Sequence, residues 1–235
     1  MLIKITDQCQ MGCTHCLEDA NPVGTFMSLD TFKKALEFTK RNDMSFIMIS
    51  GGEPFEHPQL EEFVSIATKV VKVMILSNGL FINNEGLDRV NRMGVNIQIT
   101  NDDRFYPLPV EDPKHPLITF VDRIQLVSPH GRAKKNALES SRMSPGCFNL
   151  RSIARGNSST LRGAIATLRM YFKMCTPSIT AKGDVVAGES RFCFKIGSLD
   201  DSDSTLFHNL ANMKCNTCGL TQKLPYGYKE AIGEE

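Results

Sequence analysis

Three thiols within eight residues, Cys9, Cys13 and Cys16, are the first chemistry this sequence offers, at the spacing C-x3-C-x2-C with His15 just before the last. A closed zinc or ferredoxin-type site takes four protein ligands. Three leave one metal position open to an outside ligand, and open positions do chemistry. A second set, Cys175, Cys193, Cys215 and Cys218, is spaced C-x17-C-x21-C-x2-C. Four thiolates close a site, and zinc and an iron–sulfur cluster both satisfy such a spacing. Cys147 is left over and reads as a buried thiol.

The elements that must position the first set follow a regular order. Leu2 to Thr6 is a short β-prone run directly before the cysteine loop. Ser28 caps a helix to Arg41, with Leu29, Phe32 and Leu36 on one face. Phe46 to Ile49 is a second strand, and Pro58 opens a second helix carrying Leu60, Phe63, Ala67 and Val70. Val73 to Leu76, a helix from Glu85 to Met93 closed by Gly94, and Val95 to Thr100 continue the alternation. Repeated strand–helix units imply a parallel sheet with right-handed crossovers. In such sheets the strands' carboxyl ends face the active site, and there lie Cys9–Cys16, Ser50-Gly51-Gly52-Glu53-Pro54, Ser77-Asn78-Gly79 and Thr100-Asn101-Asp102. Two adjacent glycines allow close approach of the backbone to a ligand.

After Thr100 the pattern breaks, since Pro107, Pro109, Pro113 and Pro116 exclude a regular helix before the apolar run Arg123 to Ser128. Residues 133–141 read as a short helix, and 150–172 as a helical stretch interrupted at Gly156-Asn157-Ser158-Ser159. No sixth barrel strand is legible between 133 and 174. From Cys175 the sequence turns to short β-prone runs around Gly183 and Gly188 and an acidic turn, Asp200 to Asp203.

Composition narrows the class. The chain has 235 residues, 41% hydrophobic and 23% charged, which excludes disorder and fibrous proteins. No apolar run is long enough to cross a bilayer and Met1 to Asp7 is no signal peptide, so a cytoplasmic location is expected. In a reducing compartment eight cysteines argue for metal ligation or catalysis. The net charge of +1 hides a basic segment: residues 131–175 carry 9 Lys and Arg against 1 acidic residue, a net +8. It is either a solvated face or a surface for phosphates, with Arg132, Arg151 and Arg155 as candidate substrate contacts.

The C-x3-C-x2-C loop, with an aromatic before its third cysteine and placed after the first strand of an α/β barrel, resembles the radical S-adenosylmethionine (SAM) superfamily. That resemblance implies that Cys9, Cys13 and Cys16 hold three irons of a [4Fe-4S] cluster whose fourth iron binds SAM. It implies that His15 neighbours the adenine and that Gly51-Gly52-Glu53 matches the GGE motif, which binds the methionine amino group. Ser77, Asn78 and Thr100 match positions that meet the ribose or the methionine carboxylate. Reduction of the cluster then releases a 5′-deoxyadenosyl radical, the cofactors supplying the hard chemistry. The second cysteine set, with four residues intervening between Gly188 and Cys193, resembles the Twitch form of the SPASM-type extension, which holds an auxiliary [4Fe-4S] cluster, zinc being the competing occupant. Ser128-Pro129-His130-Gly131-Arg132-Ala133 resembles the glycine–arginine segment after the fifth strand in that subgroup.

The expected architecture is α/β: a partial (β/α) TIM-like barrel core over 1–132, complete or shortened, a basic segment over 133–174 that completes it, and a small cysteine-rich β-hairpin extension over 175–235. The expected function is hydrogen abstraction from a substrate C–H bond, fed by a donor such as flavodoxin or ferredoxin. The substrate is a peptide or protein side chain; the alternative is a nucleotide or nucleic-acid base, favoured by the basic segment and by a cluster loop starting at residue 9, with no leader-binding domain before it. A non-catalytic iron–sulfur or zinc scaffold is the rival of another class, and it would need no Gly51-Gly52-Glu53. No membrane partner is expected.

Overall fold

The structure, a computed structural model, describes residues 1–124, 127, 130–139 and 177–212. Of the expected site residues, Cys175, Cys215, Cys218, Arg151 and Arg155, together with Cys147, lie outside the described residues.

The sequence order is β1 (Leu2–Thr6), α1 (Leu29–Arg41), β2 (Phe46–Gly51), a 3-10 turn (Pro54–Glu56), α2 (Leu60–Ala67), β3 (Lys72–Ser77), α3 (Asn84–Met93), β4 (Asn96–Thr100), β5 (Ile118–Val121) and α4 (Gly131–Lys135). There follow β6 (Ser178–Ile179), β7 (Asp184–Val186), β8 (Lys195–Ser198) and α5 (Asp203–Asn212). All eight strands form one sheet in the order β5-β4-β3-β2-β1-β6-β7-β8. The pairs from β5 across to β6 are parallel, whereas β6–β7 and β7–β8 are antiparallel. The fold is thus mixed α/β with a largely parallel sheet that, among the described residues, stays open, as in a partial barrel. The hairpin strands of the extension prolong the same sheet at the edge of β1.

Local chemistry explains the elements. Ser28 Oγ accepts the Thr31 N–H at 3.1 Å and caps α1. Gly94, at φ +62°, ends α3 in the left-handed region where a side chain is disfavoured. Along β2, β3 and β4 the alternate residues Ile47, Ile49, Val73, Ile75, Ile97 and Ile99 are buried in the core that also takes Phe32, Phe38, Leu60 and Phe63 from the helices. The other set, Met48, Ser50, Leu76, Gln98 and Thr100, faces a cavity on the opposite side.

The strand paired with β4 is Ile118–Val121, with Ile118 and Phe120 in register with Ile97 and Ile99. Two expectations are corrected. The expected helix 133–141 is instead Gly131–Lys135, one turn ending at Asn136. Val70 lies beyond the end of α2 and is exposed, so its helical spacing does not place it in the core.

Candidate cluster and cofactor site

The loop that leaves β1 carries Cys9, Cys13 and Cys16 into one cavity of about 490 Å³, lined also by His15, Gly51, Gly52, Ser77, Asn78 and Thr100. All are expected site residues, brought together from the carboxyl ends of four strands. Tyr106, Lys4, Glu18 and Gln98 line it as well.

Glu53 stands apart. It is 1% exposed and does not line the cavity. Its carboxylate accepts the Phe55 N–H at 3.0 Å, the Ser77 hydroxyl at 2.9 Å and the Asn78 N–H at 2.8 Å. Burial raises its pKa to about 7, against these donors, which lower it. Its side chain joins the ends of β2 and β3, and the two glycines before it reach the cavity instead.

Those glycines are required by the neighbouring chain. A Cβ on Gly51 would lie 2.0 Å from the Thr6 carbonyl, and one on Gly52 would lie 1.9 Å from the Gln8 carbonyl. Gly52 donates its N–H to Thr6 O at 2.7 Å and Glu53 donates to Gln8 O at 2.8 Å. The end of β2 is therefore fastened to the segment that enters the cysteine loop.

The loop is held from outside by Arg132. Its N–H donates to Cys16 O at 2.8 Å, its Nη1 to Cys13 O at 2.8 Å and its Nη2 to Ala20 O, while Nε lies 3.3 Å from Asp19 Oδ1. A Cβ on the preceding Gly131, at φ +54°, would fall 2.5 Å from Cys16 O. Arg132, expected to meet substrate, thus spends its donors on the loop, because α4 starts against the Cys16–Leu17 backbone.

Burial raises the Cys9 thiol to about 11 and pushes Cys13 up further. Such thiols remain protonated unless a metal centre takes their charge. Asn78 Nδ2 donates to Cys9 Sγ at 3.4 Å, an outer hydrogen bond of the kind that orients a sulfur ligand. Among the described residues no three His, Cys, Asp or Glu converge closely enough for a single ion. Three soft ligands around a wider cavity suit a polynuclear cluster, so the residues present fit a [4Fe-4S] centre with one open iron. His15 Nδ1 is buried with no hydrogen-bond partner, and its ring lies 4.9 Å from that of Phe105 and 5.2 Å from that of Tyr106. Burial lowers its pKa to about 4, so the imidazole is neutral at pH 7.

Some of the site was not foreseen. Lys4 and Glu18 form a buried ion pair at 2.9 Å across the start and end of the loop segment. Tyr106 packs on the cysteines from a loop after β4, held by Asp102, whose carboxylate accepts the Arg104 Nε at 2.9 Å and the Ile124 N–H at 2.7 Å. A tyrosine in a proline-rich linker carries no local signal of such a role. Cys193, in the turn before β8, is buried.

The sequence model of the radical SAM superfamily matches residues 3–135 of the chain. The antilisterial bacteriocin subtilosin biosynthesis protein AlbA of Bacillus subtilis is 33% identical over 88 residues, 36% of this chain and 19% of AlbA. The GTP 3′,8-cyclase of Chlorobaculum tepidum is 28% identical over 148 residues, 58% of this chain and 43% of the cyclase. The matches thus span less than half the length of these relatives. Among solved structures, BtrN in complex with AdoMet and 2-DOIA gives a TM-score of 0.58, covering 100% of this chain and 91% of that one at 14% identity. An open conformation of BtrN gives 0.54, covering 97% and 86% at 15% identity. Likeness at such identity concerns the fold. With more than half of its length matched, this chain belongs to the radical SAM superfamily, whose enzymes bind a [4Fe-4S] cluster and SAM.

Proposed function

We propose that this chain cleaves SAM reductively and uses the product to abstract hydrogen from a C–H bond of a substrate seated in the strand-end cavity. The observation that carries this is the convergence of Cys9, Cys13 and Cys16 with Gly51, Gly52, Ser77, Asn78 and Thr100 on one cavity. A reduced cluster held there would supply the one electron that cleaves the S–C5′ bond of bound SAM, giving methionine and the hydrogen-abstracting 5′-deoxyadenosyl group.

The protein's share is placement. Cys9, Cys13 and Cys16 would hold three irons, with Asn78 orienting Cys9. The Gly51–Gly52 backbone, Ser77, Asn78 and Thr100 would meet the methionine and ribose of SAM, and neutral His15 the adenine. Met48 and Leu76 line the same cavity and would give the substrate's reacting group an apolar wall. Cys193 joins Cys175, Cys215 and Cys218 in an auxiliary cluster, and a small redox protein such as flavodoxin or ferredoxin delivers the electron.

For the substrate we favour a peptide or protein side chain, in line with AlbA's part in making a bacteriocin. A nucleotide is the second reading, favoured by the +8 segment and by the longer match to a GTP cyclase. Anaerobically reconstituted enzyme incubated with SAM and deuterated candidates of both classes tests the proposal. Deuterium in 5′-deoxyadenosine identifies the substrate class. Absence of any 5′-deoxyadenosine from reduced enzyme, with or without candidates, overturns the activity. For an anionic substrate, neutralising Arg151, Arg155 and Arg162 together should flatten the salt dependence of binding.

A further inference from the structure

The Cys9–Cys16 loop enters at Asp7 and leaves at Asp19, and one residue from far along the chain spans both ends. Arg191 Nη1 donates to Asp7 Oδ2 at 2.9 Å and its Nη2 to the Asp19 carbonyl at 3.2 Å. Its backbone N–H donates to the Glu18 carboxylate at 3.2 and 3.3 Å, and the neighbouring Ser190 hydroxyl to Leu17 O at 2.8 Å. Glu18 is in turn paired with Lys4 on β1. We infer that Arg191 is a positioning residue for the cluster loop, so that the β6–β8 unit closes the site built by the cofactor-binding core.

The physical argument is loop closure. A ligand loop whose ends are free must lose conformational entropy each time it gathers its thiols. A guanidinium is suited to removing that cost, because its planar fork donates in two directions at once. Arg132 holds the middle of the loop through Cys13 O and Cys16 O, and the Cys9 N–H donating to Asn21 O at 2.8 Å joins its ends through the backbone; to this Arg191 adds a side-chain clamp from Asp7 to Asp19. The Asp7 carboxylate also accepts the Thr25 N–H, which fixes the acceptor in place. The turn that carries Arg191 is closed by the Cys193 N–H donating to Ser190 O at 2.9 Å, so the unit proposed to hold the second thiol set also clamps the first loop.

The inference rests on the reading that this loop holds a cluster, and its test has one arm with a cluster and one without. In reconstituted Arg191→Met, iron loss to a chelator should be about 10-fold faster than in wild type, as for other outer partners of metal ligands. SAM should bind more weakly by a similar factor, and Arg191→Lys, which keeps one contact, should fall between. Arg41→Met, which removes a remote surface pair with Asp203, should match wild type. In the apoprotein, the buried Cys9 and Cys13 should be alkylated faster in Arg191→Met than in wild type, read by mass spectrometry. A variant with a lower melting temperature but unchanged alkylation at Cys9 and Cys13 overturns the positioning role. If wild type binds no iron, the functional reading fails while the alkylation arm still decides this one.

Discussion

Glu53 Oε2 accepts the Asn78 backbone N–H at 2.8 Å, and Asn78 Nδ2 donates to Cys9 Sγ at 3.4 Å. Three strand ends are thereby linked in series, from the end of β2 through the end of β3 to the first cysteine after β1. Asn78 also accepts the Asn101 Nδ2 on its carbonyl at 3.1 Å, which brings in the end of β4.

The hydrogen bond to sulfur has a redox consequence. Donors to sulfur favour the reduced, more negative cluster. A net bond of about 1 kcal/mol corresponds to about 40 mV in a one-electron couple. Asn78→Leu should therefore lower the cluster's reduction potential by roughly that amount, read by EPR-monitored redox titration.

Iron content separates the two thiol sets. Reconstituted wild type should bind about eight irons as two [4Fe-4S] clusters, and Cys9→Ala/Cys13→Ala/Cys16→Ala should keep about half. Loss of all iron from the triple variant, with zinc in its place, would remove the auxiliary cluster.

Gly52 should not tolerate even a methyl group. A Cβ there would stand 1.9 Å from Gln8 O, backbone that cannot swing away as a side chain does. Gly52→Ala should cost about 1–3 kcal/mol in chemical denaturation. Because the displaced segment leads into Cys9, it should also weaken iron retention.

Acid should find the Asp102 carboxylate. Its hydrogen bonds with Arg104, assisted by the Ile124 N–H, hold its pKa well below the usual carboxylate range. A depressed folded-state pKa contributes stability that is complete above the unfolded value near 4 and is lost as pH falls toward the folded one. The melting temperature of wild type should exceed that of Asp102→Asn by a constant margin above about pH 5, and the margin should shrink toward pH 3.

Much of the site was legible in the sequence. The strand–helix alternation put the cysteine loop, Gly51-Gly52, Ser77-Asn78 and Thr100 at strand ends, and in a parallel sheet those ends share one rim whatever the detailed packing. Their residue types and spacing announced soft-metal chemistry. What only the tertiary structure decided were the roles set by partners distant in sequence. Glu53 carries the same motif signal whether it faces a ligand or, as here, turns to Ser77 and Asn78. Arg132 reads as a candidate substrate contact and Arg191 carries no signal at all until the fold brings them 119 and 184 residues back to Cys13 and Asp7. Hydrophobic period is a local property and survives in the sequence, whereas the acceptor that a long polar side chain finds depends on which backbone carbonyls the completed sheet and its loops present to it.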